Sequence, residues 1–432
     1  MGDYTSSLVK LTNQQLCGLT MTSPDKQDTS TLPLSGTRVI EFGVFHAGPT
    51  CAAMLGALGA EVIKIEELKK GDPARGLRHL FGQDCTLPGG RSVPFETYNS
   101  GKKSVAMNLA HAEARRAFYA LIAKAEVFIH NVRAETAVAL QIDYETLLRY
   151  NPRLVYASVS GFGPNGPDAR RPGLDPVGLA RSGLMSVLSG GSHQRPLLPP
   201  MGMADHMAGI LVSYGVLAGL LARDRTGAPQ RIEGSLLGSA MWLGQLNLQY
   251  ALFFGKELLP LDPASEPLLN SYRCQDSRWI FIAALSERAW PALCAGLGLE
   301  TLASDPRFRD SEARWANRAA LVTVLEERFA NRAAGDWALD FARHPELVFE
   351  VVHRPTDIST DPQVLSNGYV AETDHPELGR AKRVAFPLHL NGALAGGVAA
   401  APVHGQHTEE ILMSVVGLSW EEITALREQE AI

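Results

Sequence analysis

At 432 residues the chain is long enough for two or three domains. A composition of 45% hydrophobic and 20% charged residues is that of a soluble globular protein, and a net charge of −6 excludes a nucleic-acid partner and an anionic membrane surface. The five cysteines (Cys17, Cys51, Cys85, Cys274 and Cys294) are widely spaced with no CxxC pair, which predicts a reducing, cytoplasmic setting rather than a disulfide framework.

Residues 1–33 are rich in Ser, Thr, Gln and Lys and read as an extension outside the fold. They show no apolar signal-peptide core and no arginine-rich transit pattern, and MGDYTS fits the myristoylation pattern only formally. No run reaches the roughly 18 consecutive apolar residues of a membrane span. Met207 to Leu221, interrupted by Ser213 and Tyr214, reads as a buried core helix.

From residue 34 the pattern alternates between strand and helix. TRVIEFG (37–43) reads as a buried strand, FHAGPT as a loop, CAAMLGALGAE (51–61) as a small-residue helix and VIKIE (62–66) as a second strand. This is a βαβ unit, and a parallel sheet follows from it. Residues 67–100 read as a long loop region. A helix is predicted over 111–124, a strand over 125–131, a helix over 141–152 stopped by Pro152, and a strand over 153–163. The chain is therefore α/β, with a Rossmann-like large domain whose site should lie at the strand carboxyl ends. A nicotinamide cofactor is disfavoured, because the first turn holds Gly48–Pro49 and no G-x-G-x-x-G.

Asp205 follows Pro-Pro-Met-Gly and precedes a long apolar run, so it reads as a helix N-cap. Two readings stand: a cap alone, or a nucleophilic carboxylate held ionised by the helix terminus. Further on, RTGAPQRIEGSLLGSAMWLGQLN (225–247) reads as a turn and a short strand followed by an apolar helical stretch, 271–285 as a hairpin, and 384–390 as a strand. A final helix is predicted from Thr408. His404 and His407, three apart beside Glu409 and Glu410, do not repeat a known ligand spacing. A polar helix start is the better reading, and no metal is expected.

Several segments, in order, resemble one family: FHAGPTCAAMLGALGAEVIKIE with GDPARG, NSGKKSVAMNL, NPRLVYASVSGFGPNGP, RPGLDPV, GMADHMAGILVSYGVLAGLLARDRTG and APVHGQHTEEIL. Together they look like the class III CoA-transferases, the family of formyl-CoA transferase and carnitine CoA-transferase, which also contains α-methylacyl-CoA racemases. The resemblance implies an interlocked-ring homodimer. It assigns 34–235, completed by 365–432, to the large CoA-binding domain, 262–360 to a smaller α+β domain, and 236–261 with 361–364 to linkers.

The resemblance places the catalytic aspartate at Asp205 and implies transfer of CoA from an acyl-CoA, with succinyl-CoA a candidate donor, to a small carboxylic acid through an aspartyl-CoA thioester. His46 stands where formyl-CoA transferase has glutamine, so it is a candidate for polarising the thioester or simply a polar loop residue. The implied CoA contacts are Phe45, Ala47, Lys69, Lys70, Arg75, Asn131 and Val132, and the implied substrate pocket is Leu174, Asp175 and Met203. Racemases carry a histidine where this chain has Leu174, and leucine cannot shuttle a proton. An acyl-CoA racemase or isomerase of the same fold and a non-catalytic CoA-binding protein are the alternatives. No tightly bound cofactor is expected beyond the CoA thioester as substrate.

Overall fold

The computed structural model describes residues 32–200, 202–397 and 399–432. Residues 1–31, with Cys17 and the MGDYTS pattern, and Met201 lie outside the described residues. The chain forms two compact units: the first runs to Gly178 and resumes over Pro200–Ser239 and Ala371–Ile432, and the second comprises Leu179–Pro199 and Ala240–Val370.

The first unit is built on six strands, β1 (Arg38–Phe42), β2 (Glu61–Glu66), β3 (Lys103–Ala106), β4 (Val127–His130), β5 (Val155–Ser160) and β6 (Gln230–Ser235). They pair in the order β3-β2-β1-β4-β5-β6, every pair parallel. Ile40 of β1 lies between Ile63 and Phe128 in register, and all three are fully buried. The apolar run VFI, and VIKI, interrupted only by the buried Lys64, suit strands covered on both faces. Phe118, Leu121 and Ile122 join the same core as Ile411, Leu412 and Ile423 from the far end of the chain. The chain winds outward from β1 through β2 and β3, then returns to β4 on the other side. That reversal opens a crevice at the carboxyl ends of β1 and β4, where open α/β sheets bind ligands.

Four helices position the site: α1 (Ala47–Ala57), α2 (Val93–Tyr98), α3 (Asp175–Arg181) and α4 (Met203–Thr226). α4 is long and apolar enough, by length and composition, to cross a bilayer. Here it is a core helix. A Cβ on Gly209 would stand 2.7 Å from the Thr50 side chain of α1, and one on Gly215 would stand 2.8 Å from Ile232 of β6. Small residues thus let α4 lie against both. Val212 and Val216 are buried on the same helix, each worth roughly 1.5–3 kcal/mol of apolar transfer.

Several sequence expectations shift. α1 begins at Ala47, directly after His46, and not at residue 51. The helix predicted over 141–152 is confined to Tyr144–Leu147, capped by Asp143, whose side chain accepts from the Thr146 amide, and a separate short helix, Ala134–Ala139, precedes it. The region 67–100 contains α2. The strand placed at 384–390 is instead Gly379–Val384, followed by a two-residue strand His389–Leu390. The final helix begins at Thr408 as expected, but gives way to a π-turn over Leu412–Val416 before a separate helix, Trp420–Glu428.

The second unit holds a three-stranded antiparallel sheet of Leu269–Arg273, Trp279–Ala283 and Phe349–Val351, so the hairpin over 271–285 is present. Its core is aromatic, with Trp290, Trp337, Phe329 and Phe341 packed together.

Candidate functional site

The loop leaving β1 carries the first site residues. Phe45 takes a left-handed φ of 59°, a conformation rare for a bulky residue and costing on the order of 1–3 kcal/mol. The surroundings hold it there. The Asn131 side chain accepts from the Val44 amide at 2.9 Å and donates to the Val44 carbonyl at 2.8 Å. The Phe45 amide donates to Asp72 Oδ1 at 3.1 Å. Beneath the loop, buried Lys64 donates to Glu41 at 2.8 Å and to the Gly43 carbonyl at 2.7 Å. Buried Lys102 donates to Glu41 at 2.6 Å and to the Pro49 carbonyl at 2.9 Å. Two buried cations thus grip the loop on either side of His46, which it presents to α4.

Asp205 lies in the first turn of α4 but is not its N-cap. The cap position is Gly202, left-handed at φ 57°, with no side-chain bond to the helix. Asp175, at the start of α3, supplies the missing acceptor: its Oδ1 receives the Ala204 amide at 2.7 Å and the Asp205 amide at 3.1 Å. This corrects the expectation of a local cap, because a carboxylate from another helix already fills the amide cradle.

Around Asp205 the structure gathers His46, Tyr98 and His206. His46 Nδ1 stands 3.9 Å from Asp205 Oδ2, and its Nε2 stands 3.4 Å from His206 Nδ1. The Tyr98 ring stacks on His46 with centroids 3.9 Å apart. Gly202 closes the other side, where a Cβ would fall 2.5 Å from His46 Nδ1. Burial, and then the nearby Asp175 charge, push the Asp205 carboxyl up to about 7. Desolvation and Asp175 therefore outweigh the helix dipole, and Asp205 is not held firmly ionised. Burial, then His206, push His46 down to about 4, so the His46–Asp205 approach joins a neutral imidazole to a carboxyl poised near neutrality. Burial also lowers His206. Burial, then the charges of Asp205 and Asp175, push the Tyr98 phenol up to about 12.

The remaining expected residues divide by position. Phe45, Ala47, Asn131 and Val132 lie at the crevice between β1 and β4, Phe45 half-exposed and Ala47 buried. Val132 is packed against the large-unit core. Arg75 is committed elsewhere: it bonds both Glu66 oxygens at 2.7 and 2.8 Å, reaches the Pro402 carbonyl and lies over the Phe95 ring. Lys69 and Lys70 are exposed, Lys69 paired with Glu430 at 3.0 Å. Leu174 is exposed, and Met203 begins α4. A cleft of about 50 Å³ lined by Gly43, Val44, Glu66, Glu67, Gly71 and Asp72 adjoins the loop. A larger groove of about 440 Å³, among Arg115, Tyr119 and Tyr150, contains none of these residues.

His404 and His407 hold the C-terminal segment: His404 Nε2 lies 3.0 Å from the Glu67 carbonyl, and His407 Nδ1 accepts from the Ser104 amide. Among the described residues no group of three His, Cys, Asp or Glu side chains could hold a metal ion. Sequence reasoning missed Tyr98 and His206 as site residues. His206 adjoins Asp205 and could have been flagged for that; Tyr98, in FETYNS, carried no signal.

The family model CoA-transferase family III matches residues 34–408. The chain is 28% identical over 403 residues to (R)-2-hydroxy-4-methylpentanoate CoA-transferase of Clostridioides difficile, covering 92% of this chain and 99% of that one. It is 30% identical over 402 residues to succinyl-CoA:glutarate CoA-transferase of Mus musculus, covering 92% and 90%. Among solved structures it resembles a CAIB/BAIF family protein from Brucella suis, with a TM-score of 0.78 and 27% identity over 89% of this chain and 99% of that one. A parallel sheet with a carboxylate at a helix start beside its crevice, matched along most of its length by these relatives, makes this chain a member of CoA-transferase family III and an enzyme of the CoA-transferase class.

Proposed function

We propose that the protein moves CoA from an acyl-CoA donor, with succinyl-CoA the first candidate, to a small carboxylic acid through an aspartyl-CoA thioester on Asp205. The observation that carries this reading is the Asp205 carboxyl itself: half-buried at a helix start, poised near neutrality and approached by the His46 Nδ1 at 3.9 Å. Relatives named for succinyl-CoA donors and for 2-hydroxy and dicarboxylic acids support the substrate class.

The steps follow from the carboxylate. Ionised Asp205 attacks the thioester carbonyl, the C–S bond breaks, and CoA leaves as thiolate with a mixed anhydride behind. The thiolate attacks the aspartyl carbonyl and releases the donor acid, leaving aspartyl-CoA. The acceptor carboxylate then displaces CoA thiolate to form a second anhydride. The thiolate attacks the acceptor carbonyl, and Asp205 returns as a carboxylate. No net proton is consumed. His46 faces the oxyanions formed at Asp205, where a fixed donor is worth most in a site shielded from water.

On this reading the nucleotide lies along the crevice by Phe45, Ala47, Asn131 and Val132. Lys69 and Lys70 meet the phosphates, and Arg75 serves to brace the loop through Glu66. Leu174 and Met203 line the acceptor side. Two chains interlock as a homodimer, a reading supported by the exposed Leu252, Phe253 and Phe254 at the end of the helix Gln245–Phe254. Cytoplasmic residence is supported by four free, buried cysteines.

The test is intact-mass measurement after mixing with succinyl-CoA, then hydroxylamine trapping and peptide mapping. A hydroxamate on Asp205 supports the reading. An unmodified Asp205 with bound CoA, or exchange of the α-proton of a 2-methylacyl-CoA in heavy water, would replace it with the non-catalytic or the racemase alternative.

A further inference from the structure

We propose that His206 is a positioning residue that fixes the tautomer of His46, so that the Nδ1–H of His46 points at Asp205. The inference rests on Asp205 being the nucleophile, as proposed above. Its starting point is geometric. The two imidazoles meet nitrogen to nitrogen, His46 Nε2 to His206 Nδ1 at 3.4 Å, with rings nearly edge to face at 65°. One hydrogen lies between these nitrogens, because two lone pairs or two N–H groups facing each other would repel. The other nitrogen of His46, Nδ1, faces Asp205 Oδ2 at 3.9 Å.

The hydrogen can sit in two ways, and only one suits an ionised Asp205. If His46 donated to His206, its Nδ1 would present a lone pair to the carboxylate. If His206 Nδ1–H donates, His46 keeps its single hydrogen on Nδ1 and directs it at Asp205 Oδ2. The second arrangement suits the carboxylate, but at 3.9 Å Asp205 is too far to hold the hydrogen on Nδ1 by itself; donation from His206 to Nε2 fixes it there, and without that donor the hydrogen returns to Nε2, as free histidine prefers. Tyr98 stacks on one face of His46, with centroids 3.9 Å apart, and holds the plane of the ring.

The groups around Asp205 from the packed elements are His46 from the loop after β1, Tyr98 from α2 and Asp175 from α3, while His206 of α4 itself reaches His46. Burial and the Asp175 charge disfavour the carboxylate. A neutral imidazole Nδ1–H directed toward Oδ2 stands at 3.9 Å, beyond hydrogen-bond distance, and is placed to close on the aspartyl oxygens as charge grows on them during transfer. The arrangement needs no imidazolium, in keeping with the neutral state of both rings.

The decisive measurement is histidine ¹⁵N NMR on the full chain, with His46 assigned by its loss in His46→Gln. In the wild-type protein above pH 7.5, His46 is expected as the Nδ1–H tautomer. In His206→Phe it is expected to revert to Nε2–H. In His206→Asn, whose amide N–H occupies the place of Nδ1–H, it is expected to stay Nδ1–H. Kinetics with succinyl-CoA should follow the same order: kcat lower by about 10- to 100-fold in His206→Phe, restored to within about 3-fold in His206→Asn, with KM for succinyl-CoA little changed in either. An Nε2–H tautomer in the wild type, or equal behaviour of the Phe and Asn variants, overturns the inference while labelling of Asp205 still stands. A wild-type Asp205 that takes no label with CoA bound overturns the functional reading instead, whatever the tautomer.

Discussion

Asp175 caps the helix that carries Asp205: its Oδ1 accepts the Asp205 amide at 3.1 Å and the Ala204 amide at 2.7 Å. One aspartate thus orients the other while repelling its charge. Asp175→Asn retains the acceptor and removes the charge, so the acid limb of the pH–rate profile should move below that of the wild type with folding stability nearly unchanged. Asp175→Ala should instead lose about 1–2 kcal/mol of stability, because two helix amides lose their acceptor. Thermal unfolding beside the pH–rate profiles separates the two; identical behaviour of both variants would count against the arrangement.

Asp205 titrates near neutrality, and its pH dependence has a definite sign. With the carboxyl pushed up to about 7, kcat/KM for the CoA donor should rise with pH through about 7 as the nucleophile ionises. Stability should run the other way. The folded value lies above the unfolded value of 3.8, so the favourable contribution is full below that value and is lost as pH rises through about 7. Asp205→Asn should therefore stabilise the protein at pH 8 by on the order of 2–4 kcal/mol more than at pH 4. Unfolding in urea at the two pH values measures this, and an equal effect at both would refute the burial account.

Gly202 is required twice over. Its φ of 57° favours glycine, and a Cβ there would fall 2.5 Å from His46 Nδ1. Gly202→Ala should cost roughly 1–3 kcal/mol and reduce kcat by displacing His46. A melting temperature and kcat within error of the wild type would show that the approach is looser.

Lys102 holds the site loop from beneath, with Glu41, the Pro49 carbonyl and Asn99 Oδ1 as acceptors within 3.0 Å. Lys102→Met should cost about 3–5 kcal/mol, since it leaves Glu41 to Lys64 alone and takes the ammonium donor from buried Asn99 Oδ1. Urea unfolding reads the loss directly, and a loss below about 1 kcal/mol would mean that water replaces the ammonium.

Leu252, Phe253 and Phe254 are 77%, 73% and 63% exposed, an apolar cluster that the second chain of the proposed homodimer would cover. Phe253→Glu should shift the sedimentation of the protein from dimer toward monomer or lower its soluble yield. A monomeric wild type would exclude the interlocked assembly.

The sequence by itself determined the parallel sheet and the start of the site. VFI, and VIKI apart from Lys64, carry apolar residues on both faces, which suits strands buried on both sides, and Pro-Pro-Met-Gly before an apolar stretch marks a helix start close to Asp205. These are short-range signals, carried by neighbours along the chain. The tertiary structure decided which residue caps that helix, since Asp175 lies 30 positions away, and which rings surround the carboxyl, since His46 meets His206 across 160 positions. It also showed Arg75 bound to Glu66, where the sequence offered a free cation. Protonation of Asp205 belongs to the same class: desolvation and the charge of Asp175 act through space, so the dipole favouring ionisation was visible in the chain and the larger opposing effects were not.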